Sequence, residues 1–257
     1  MGALSHVRGR GRREGRRHHP GTLATLPRVM IAAVDEWVFN ERPAGVRFLT
    51  DRIDEPGRTR VEDEIWSWIV RGETDAADFV DCFDVEEDRH GATDEELAAA
   101  YGRALDARRA QQRAWGPVRT NLTSAFAELN ELGVVARENF ACCGTCAAAE
   151  IHDERDGSRH WRGYVWFHQQ DTEALAESAN GSVYLGYGTW APENLDRAAY
   201  DDLSAAERQA RYRADVEQML DEIVFPVLHH HGMQVTWNRS LATRVHVTGA
   251  RWYAALP

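Results

Sequence analysis

The sequence predicts an α+β fold, with a helical N-terminal region followed by a mixed, largely antiparallel sheet packed with helices. Three features carry that reading. Residues 30–116 show helical periodicity and helix-start signals. From residue 117, short apolar runs alternate with helices in the order β, short α, β, short α, β, long α, β, β. The 257 residues are 43% apolar and 28% charged, which suits a globular chain with a substantial core. The expected divisions are 1–29, a disordered arginine-rich tail; 30–116, the helical region; and 117–257, the α+β domain.

Taken in order, residues 61–70 place Val61, Ile65, Trp68 and Ile69 on one helical face, with Trp66 at its edge. Thr74 can cap a second helix bearing Phe79, Val80 and Phe83, in which Cys82 reads as a small buried hydrophobe. Thr93 and Glu96 form a capping box for a helix running to about Arg113, and Trp115-Gly116-Pro117 ends the region. Leu122, Ala125, Phe126, Leu129 and Leu132 mark the next helix, closed by Gly133. Residues 134–140 read as a strand, 147–151 as a short helix, and 161–168 as a strand apolar on both faces. A short helix begins at Asp171, a strand covers 182–188, and 189–202 is a loop. Ser204 and Glu207 open the longest helix, which Pro226 should kink and Gly232 should stop. A hairpin of 233–237 and 241–247 follows, and Arg251-Trp252-Tyr253 closes the chain.

Charge narrows the range of partners. All 30 basic residues are arginine, which removes lysine Schiff-base and P-loop chemistry. Residues 1–29 hold seven Arg and one Glu, so the chain's net charge of −11 leaves −17 on residues 30–257. A body that acidic repels phosphate backbones, so nucleic acid is not an expected partner of the folded part. No run approaches the roughly 18 apolar residues of a membrane span. Four cysteines, three of them clustered, do not make a secreted disulfide framework, and no secretory signal pattern precedes them. The expected compartment is the reducing cytoplasm.

Side-chain chemistry concentrates in Asn139-Phe140-Ala141-Cys142-Cys143-Gly144-Thr145-Cys146, where a strand ends and a helix begins. Cys143 and Cys146 have zinc-knuckle spacing, in which thiolates grip the ion at about 2.3 Å and glycine permits the turn. His168, arriving on the next strand, is the expected further metal ligand, with His160 as the alternative. Cys142 could add another sulfur, although adjacent cysteines point differently. The same spacing at a helix N-terminus suits a redox pair, because thiolates there have lowered pKa values. Against that stands an element order unlike the thioredoxin class. The bland alternative is three small buried thiols beside a glycine turn.

His168-Gln169-Gln170-Asp171 forms a second constellation. An imidazole at a strand end with a carboxylate three residues on suits a base and its orienter, or a metal ligand and its support. In the bland reading Asp171 is an N-cap and His168 a packed ring under Trp166 and Tyr164. His229-His230-His231 is set aside as a metal run, since adjacent helical residues point about 100° apart. The sequence holds no GxSxG, P-loop or HExxH, and no GxGxxG in a βαβ context.

Over residues of about 121–252 the chain resembles a bacterial, largely actinobacterial family, domain of unknown function 6891. The residues that carry the match are Ala125-Phe126 with Leu129 and Gly133, the stretch 139–146, Gly163-Tyr164-Val165, the stretch 167–173, Tyr184-Leu185-Gly186-Tyr187-Gly188, and 232–237. The resemblance implies no catalytic residue. It also implies that the thiols serve a subset of members, because some carry a Tyr-Thr type segment in place of Cys143-Gly144-Thr145-Cys146. Any shared function then leans on His168 and Asp171. Residues 30–116 lie outside the resemblance.

The expected function is a cytosolic, non-catalytic binding or regulatory module with a zinc-type or structural thiol site, zinc its only cofactor, and a protein or small-molecule partner. One alternative is a thiol–disulfide oxidoreductase using Cys143 and Cys146; another is a hydrolase-like site at His168 and Asp171. Geometry separates them. Converging sulfurs joined by a histidine nitrogen favour metal, and a solvent-open pair at a helix N-terminus favours redox chemistry. Sulfurs in separate apolar pockets would exclude both. Any site should lie where Cys143, Cys146, His168 and Asp171 meet.

Overall fold

The structure, a computed structural model, describes residues 30–31, 37–190 and 197–257. The expected tail and part of the expected 189–202 loop lie outside the described residues. In the helical region, Asp54 caps α1 (Glu55–Val70) by accepting from the Gly57 N–H at 3.0 Å, and Pro56 fits the first turn, where no N–H is needed. α1 buries Val61, Ile65, Trp66 and Ile69, so Trp66 lies in the core and Trp68 at its edge, the reverse of the sequence expectation. Asp75, one residue beyond the expected Thr74, caps α2 (Ala76–Cys82). α2 buries only Phe79, and Cys82 is exposed at its end instead of buried as expected. The Thr93–Glu96 capping box opens α3 (Asp94–Trp115) as expected, a device worth about 1 kcal/mol. Residues 37–54 are not helical. They wrap the helices as turns, and buried Glu62 holds them by accepting from the N–H groups of Phe48 at 2.7 Å and Leu49 at 2.9 Å.

Beyond α3, α4 (Asn121–Glu131) ends at Gly133, whose φ of +83° favours glycine and where a Cβ would crowd the His160 carbonyl oxygen at 3.0 Å. Then follow β1 (Val134–Arg137), α5 (Gly144–Glu150), β2 (Gly163–Trp166), α6 (Thr172–Ala176) and β3 (Gly181–Thr189). The Ser204–Glu207 capping box opens α7 (Ala205–Met219). Pro226 lacks an N–H and crowds the preceding turn. The helix accommodates it by widening into one π turn, Leu220–Val224, then continues as α8 (Phe225–His230). β4 (Gln234–Thr236) and β5 (Val245–Ala250) complete a sheet of order β1-β2-β3-β5-β4. Within this sheet β1 and β2 pair in parallel and the other three pairs are antiparallel; a separate short parallel pair joins Met30–Ile31 to Val118–Arg119. The class is the α+β arrangement that the alternating pattern predicts.

One sheet face, with Val165, Phe167, Val183, Leu185, Val245 and Val247, packs on α4 and the α7–α8 helix in the main core. The other face carries Tyr164 and Trp166, which lie over Gly188 and Gly186. A Cβ on Gly186 would sit 2.4 Å from the Trp166 ring, so the glycines of Tyr184-Leu185-Gly186-Tyr187-Gly188 provide the floor for these aromatics. Val135, Ala147, Ile151 and Trp161 close this half of the face, so β2 is covered on both sides, as its residues predict. The C-terminal residues join the two cores, with Trp252 in the sheet core and Leu256 in the helical cluster. No helix among the described residues is long and apolar enough to cross a membrane.

Candidate functional site

The loop between β1 and α5 is strapped to the end of β2 by backbone hydrogen bonds, with Phe140 and Ala141 packed on the Trp161–Trp166 cluster. The Phe140 N–H donates to the Phe167 carbonyl at 2.8 Å, and the Gln169 N–H donates to the Ala141 carbonyl at 3.1 Å. Within the strap, Asn139 (φ 47°) and Ala141 (φ 58°) adopt the left-handed conformation. For a residue with a Cβ this costs about 1–2 kcal/mol, a strain tolerated where the surroundings fix it. These reversals take Cys142 out of any regular repeat, and the expected divergence of adjacent cysteines does not arise. The sulfurs of Cys142, Cys143 and Cys146 all lie within 4.8 Å of one another, with Cys142 and Cys146 at 3.5 Å. Cys142 is exposed, and Cys143 and Cys146 are half-buried.

The three thiols are not equivalent. Cys143 is the N-cap residue of α5, and the Cys146 N–H, then the Cys146 thiol and the Thr145 N–H, hold its pKa below the ordinary thiol value. Hydrogen bonds with Cys142 and Cys143 push the Cys146 thiol up to about 12, since a second thiolate beside the first is disfavoured. The shifts favour a thiolate at Cys143 over one at Cys146.

His168 lies directly beneath. A Cβ on Gly144 would be 3.6 Å from His168 Cδ2, so the imidazole sits under the first turn of α5, and its ring centroid is 5.9 Å from that of Trp166. Its nitrogens face elsewhere. Arg244, at the start of β5, donates from Nη1 to His168 Nε2 at 3.0 Å and to Asp171 Oδ2 at 2.7 Å. An arginine can only donate, so Nε2 accepts and the ring proton sits on Nδ1. Nδ1 lies 3.2 Å from Asp171 Oδ2, but off the line of a full hydrogen bond, which makes this an electrostatic contact. Burial first, and Arg244 next, lower the His168 pKa against the opposing pull of Asp171. Asp171 does not cap α6; its carboxylate turns back to Arg244 and to the His168 N–H at 3.3 Å. The ring of Tyr184 lies 5.3 Å from the Arg244 guanidinium.

The structure thus brings Cys142, Cys143 and Cys146 to one point and sets His168 and Asp171 behind them, with the ring nitrogens engaged by Arg244 and Asp171. A groove of about 430 Å³ opens beside the cluster, between α1–α2 and the end of β2, lined by Trp68, Arg71, Glu73, Cys82, Cys142 and Gln169 among others. Residues 54–255 match the family described as Domain of unknown function (DUF6891). The chain belongs to that family. The match begins at α1, so the N-terminal helices belong to the DUF6891 domain, although the motifs alone placed them outside it. No curated protein and no solved structure matches the chain.

Two residues of this region were not singled out as site residues by sequence. Arg244 stands 76 residues from His168. The one signal for it is that a buried carboxylate needs a cation, and an arginine beside an alternating strand can supply it. Cys82 shares the groove with Cys142, and the sparse apolar pattern of α2 was the sign that its end is exposed.

Proposed function

We propose that this DUF6891 domain is a cytoplasmic binding or regulatory module in which Cys142, Cys143 and Cys146 hold a thiophilic metal ion, zinc in the first instance. The observation that carries the reading is the convergence of three sulfurs. Zinc bound tetrahedrally at about 2.3 Å to each sulfur keeps neighbouring sulfurs about 3.8 Å apart. The separations here, 3.5 Å for one pair and at most 4.8 Å for any, bracket that figure. The helix N–H groups that favour a Cys143 thiolate supply the anionic donor a metal needs. His168, engaged by Arg244, supports the loop in this reading instead of completing the ligand set. A small-molecule or protein partner would meet the centre in the groove that Cys142 borders.

A specific observation favours a second reading. A low-pKa thiol at Cys143 beside a high-pKa thiol at Cys146 is the asymmetry of a nucleophile and its resolving partner. In that chemistry Cys143 attacks a substrate disulfide and Cys146 displaces the mixed disulfide. The substrate leaves as two thiols, and a Cys143–Cys146 bond remains. Metal analysis with thiol counting on protein purified under reducing conditions separates the two. A zinc equivalent that disappears in Cys143→Ser is the expected result. Cysteines that hold no zinc but react fast and form the Cys143–Cys146 bond on mild oxidation would replace the metal reading with the redox one.

A further inference from the structure

The junction of α4 with the end of α8 holds another constellation. Glu128 projects from α4 toward the end of α8, where His230 closes the helix and His231 follows as its C-cap residue. His231 Nε2 lies 2.8 Å from Glu128 Oε2, and His230 Nδ1 lies 3.6 Å from the same oxygen. The two rings are 5.1 Å apart and inclined by 39°. The argument that adjacent histidines diverge by about 100° holds within a helix. Here both side chains nevertheless reach the same Glu128 oxygen, His230 from the last helical residue through Nδ1 and His231 from the C-cap position through Nε2.

We propose that Glu128, His230 and His231 form a binding site for a first-row divalent cation, independent of the cysteine centre. The donor set is two imidazoles and one carboxylate, a combination that suits zinc and its neighbours and leaves coordination positions open. Their ligand atoms all lie within 4.8 Å of one another. A tetrahedral ion bound at about 2.0–2.2 Å keeps its ligand atoms roughly 3.3–3.6 Å apart. The observed 2.8 and 3.6 Å require only a small adjustment, with the ion replacing the direct His231–Glu128 contact. The side chains are reachable, with exposures of 37% for Glu128, 73% for His230 and 21% for His231. A groove of about 550 Å³ runs from Glu128 and His230 along Leu132, Arg162 and Ile223, so the open side of the ion would face a space large enough for a small molecule. The π turn at Leu220–Val224 and Pro226 lie in the helix that forms this groove's wall.

The test uses the full chain, freed of metal by chelation under reducing conditions, then titrated with zinc and with cobalt(II). In the Cys142→Ser/Cys143→Ser/Cys146→Ser variant, one equivalent should still bind, and its cobalt spectrum should lack a sulfur charge-transfer band. Replacing the histidines in that background, His230→Ala/His231→Ala, should abolish this equivalent. Glu128→Gln, which preserves shape, should weaken it at least about tenfold. A circular-dichroism melt of each variant confirms that it is folded. Equal binding with and without the two histidines, or no binding in the triple-serine variant, would show a plain histidine–glutamate ion pair and overturn the site. Since these arms are read in a chain without the three clustered thiols, they stand or fall separately from the thiolate centre.

Discussion

The thiol loop and the charged trio behind it are neighbours built on opposite terms. In front, three sulfurs partner one another on a loop containing two left-handed residues, and all three are at least partly open to solvent. Behind, His168 and Asp171 are 6% and 9% exposed, and Arg244 bonds both. The sequence suggests these residues as a single site. The structure separates a solvent-open surface of thiols from a buried support whose charges are paired internally. A group free to meet a ligand must be left short of partners, whereas a buried charge cannot be, since an unpartnered one costs several kcal/mol.

Removing the cation tests the support most severely. Arg244→Met leaves the Asp171 carboxylate buried with only the His168 N–H and ring beside it. Breaking a buried pair from one side costs about 3–5 kcal/mol; with the Arg244 side chain 36% exposed, the loss expected in urea unfolding is about 3 kcal/mol. Adding Asp171→Asn should recover part of it, because the two effects belong to one interaction. A loss below about 1 kcal/mol would make the trio an ordinary surface pair and erase the contrast with the thiol loop.

Local devices were legible in the sequence, and long-range ones were not. The capping boxes at Thr93 and Ser204, and the stop at Gly133, depend on residues within a few positions. The last strand was read several residues early. The side chains of Asn238 and Ser240 build the turn that occupies 238–243: Asn238 accepts from the Ser240 N–H at 2.9 Å and the Thr243 hydroxyl at 2.7 Å. The cysteine cluster was visible as a motif, but its geometry rests on Ala141 at φ 58°, and nothing about an alanine announces that conformation. Arg244 is the clearest omission. Its partner Asp171 lies 73 residues away, and pairing across that distance is decided by how β5 joins β3, not by any local pattern.

Acidification should sharpen the contrast by acting on the support. His168 is held neutral in the fold by burial and Arg244, so its folded pKa lies below the unfolded value of about 6.5. Its contribution is complete above that value. As pH falls from about 6.5 toward the folded pKa, the unfolded chain takes up a proton that the folded chain refuses, and stability is lost. The measurement is unfolding free energy against pH for the native chain and for His168→Gln. The native chain should lose more as the pH falls below about 6.5. Parallel curves would mean that His168 is not held neutral by its surroundings.

The smallest effect belongs to the thiol loop itself. The loop is fixed by the Phe140–Phe167 and Gln169–Ala141 backbone bonds, and neither uses a cysteine side chain. Cys142 is exposed, and its thiol touches another thiol. In metal-free, reduced protein, Cys142→Ser should therefore change unfolding free energy by no more than about 0.5 kcal/mol, the range of surface substitutions. The same variant should bind zinc more weakly, because one of three converging sulfurs has become a poorer donor. The pairing of these results matters more than either alone. A variant as stable as the native chain but weaker for metal identifies a sulfur kept for binding. A variant destabilised by 1 kcal/mol or more, with metal uptake unchanged, would make Cys142 a packing residue, and the loop would then belong with the support behind it.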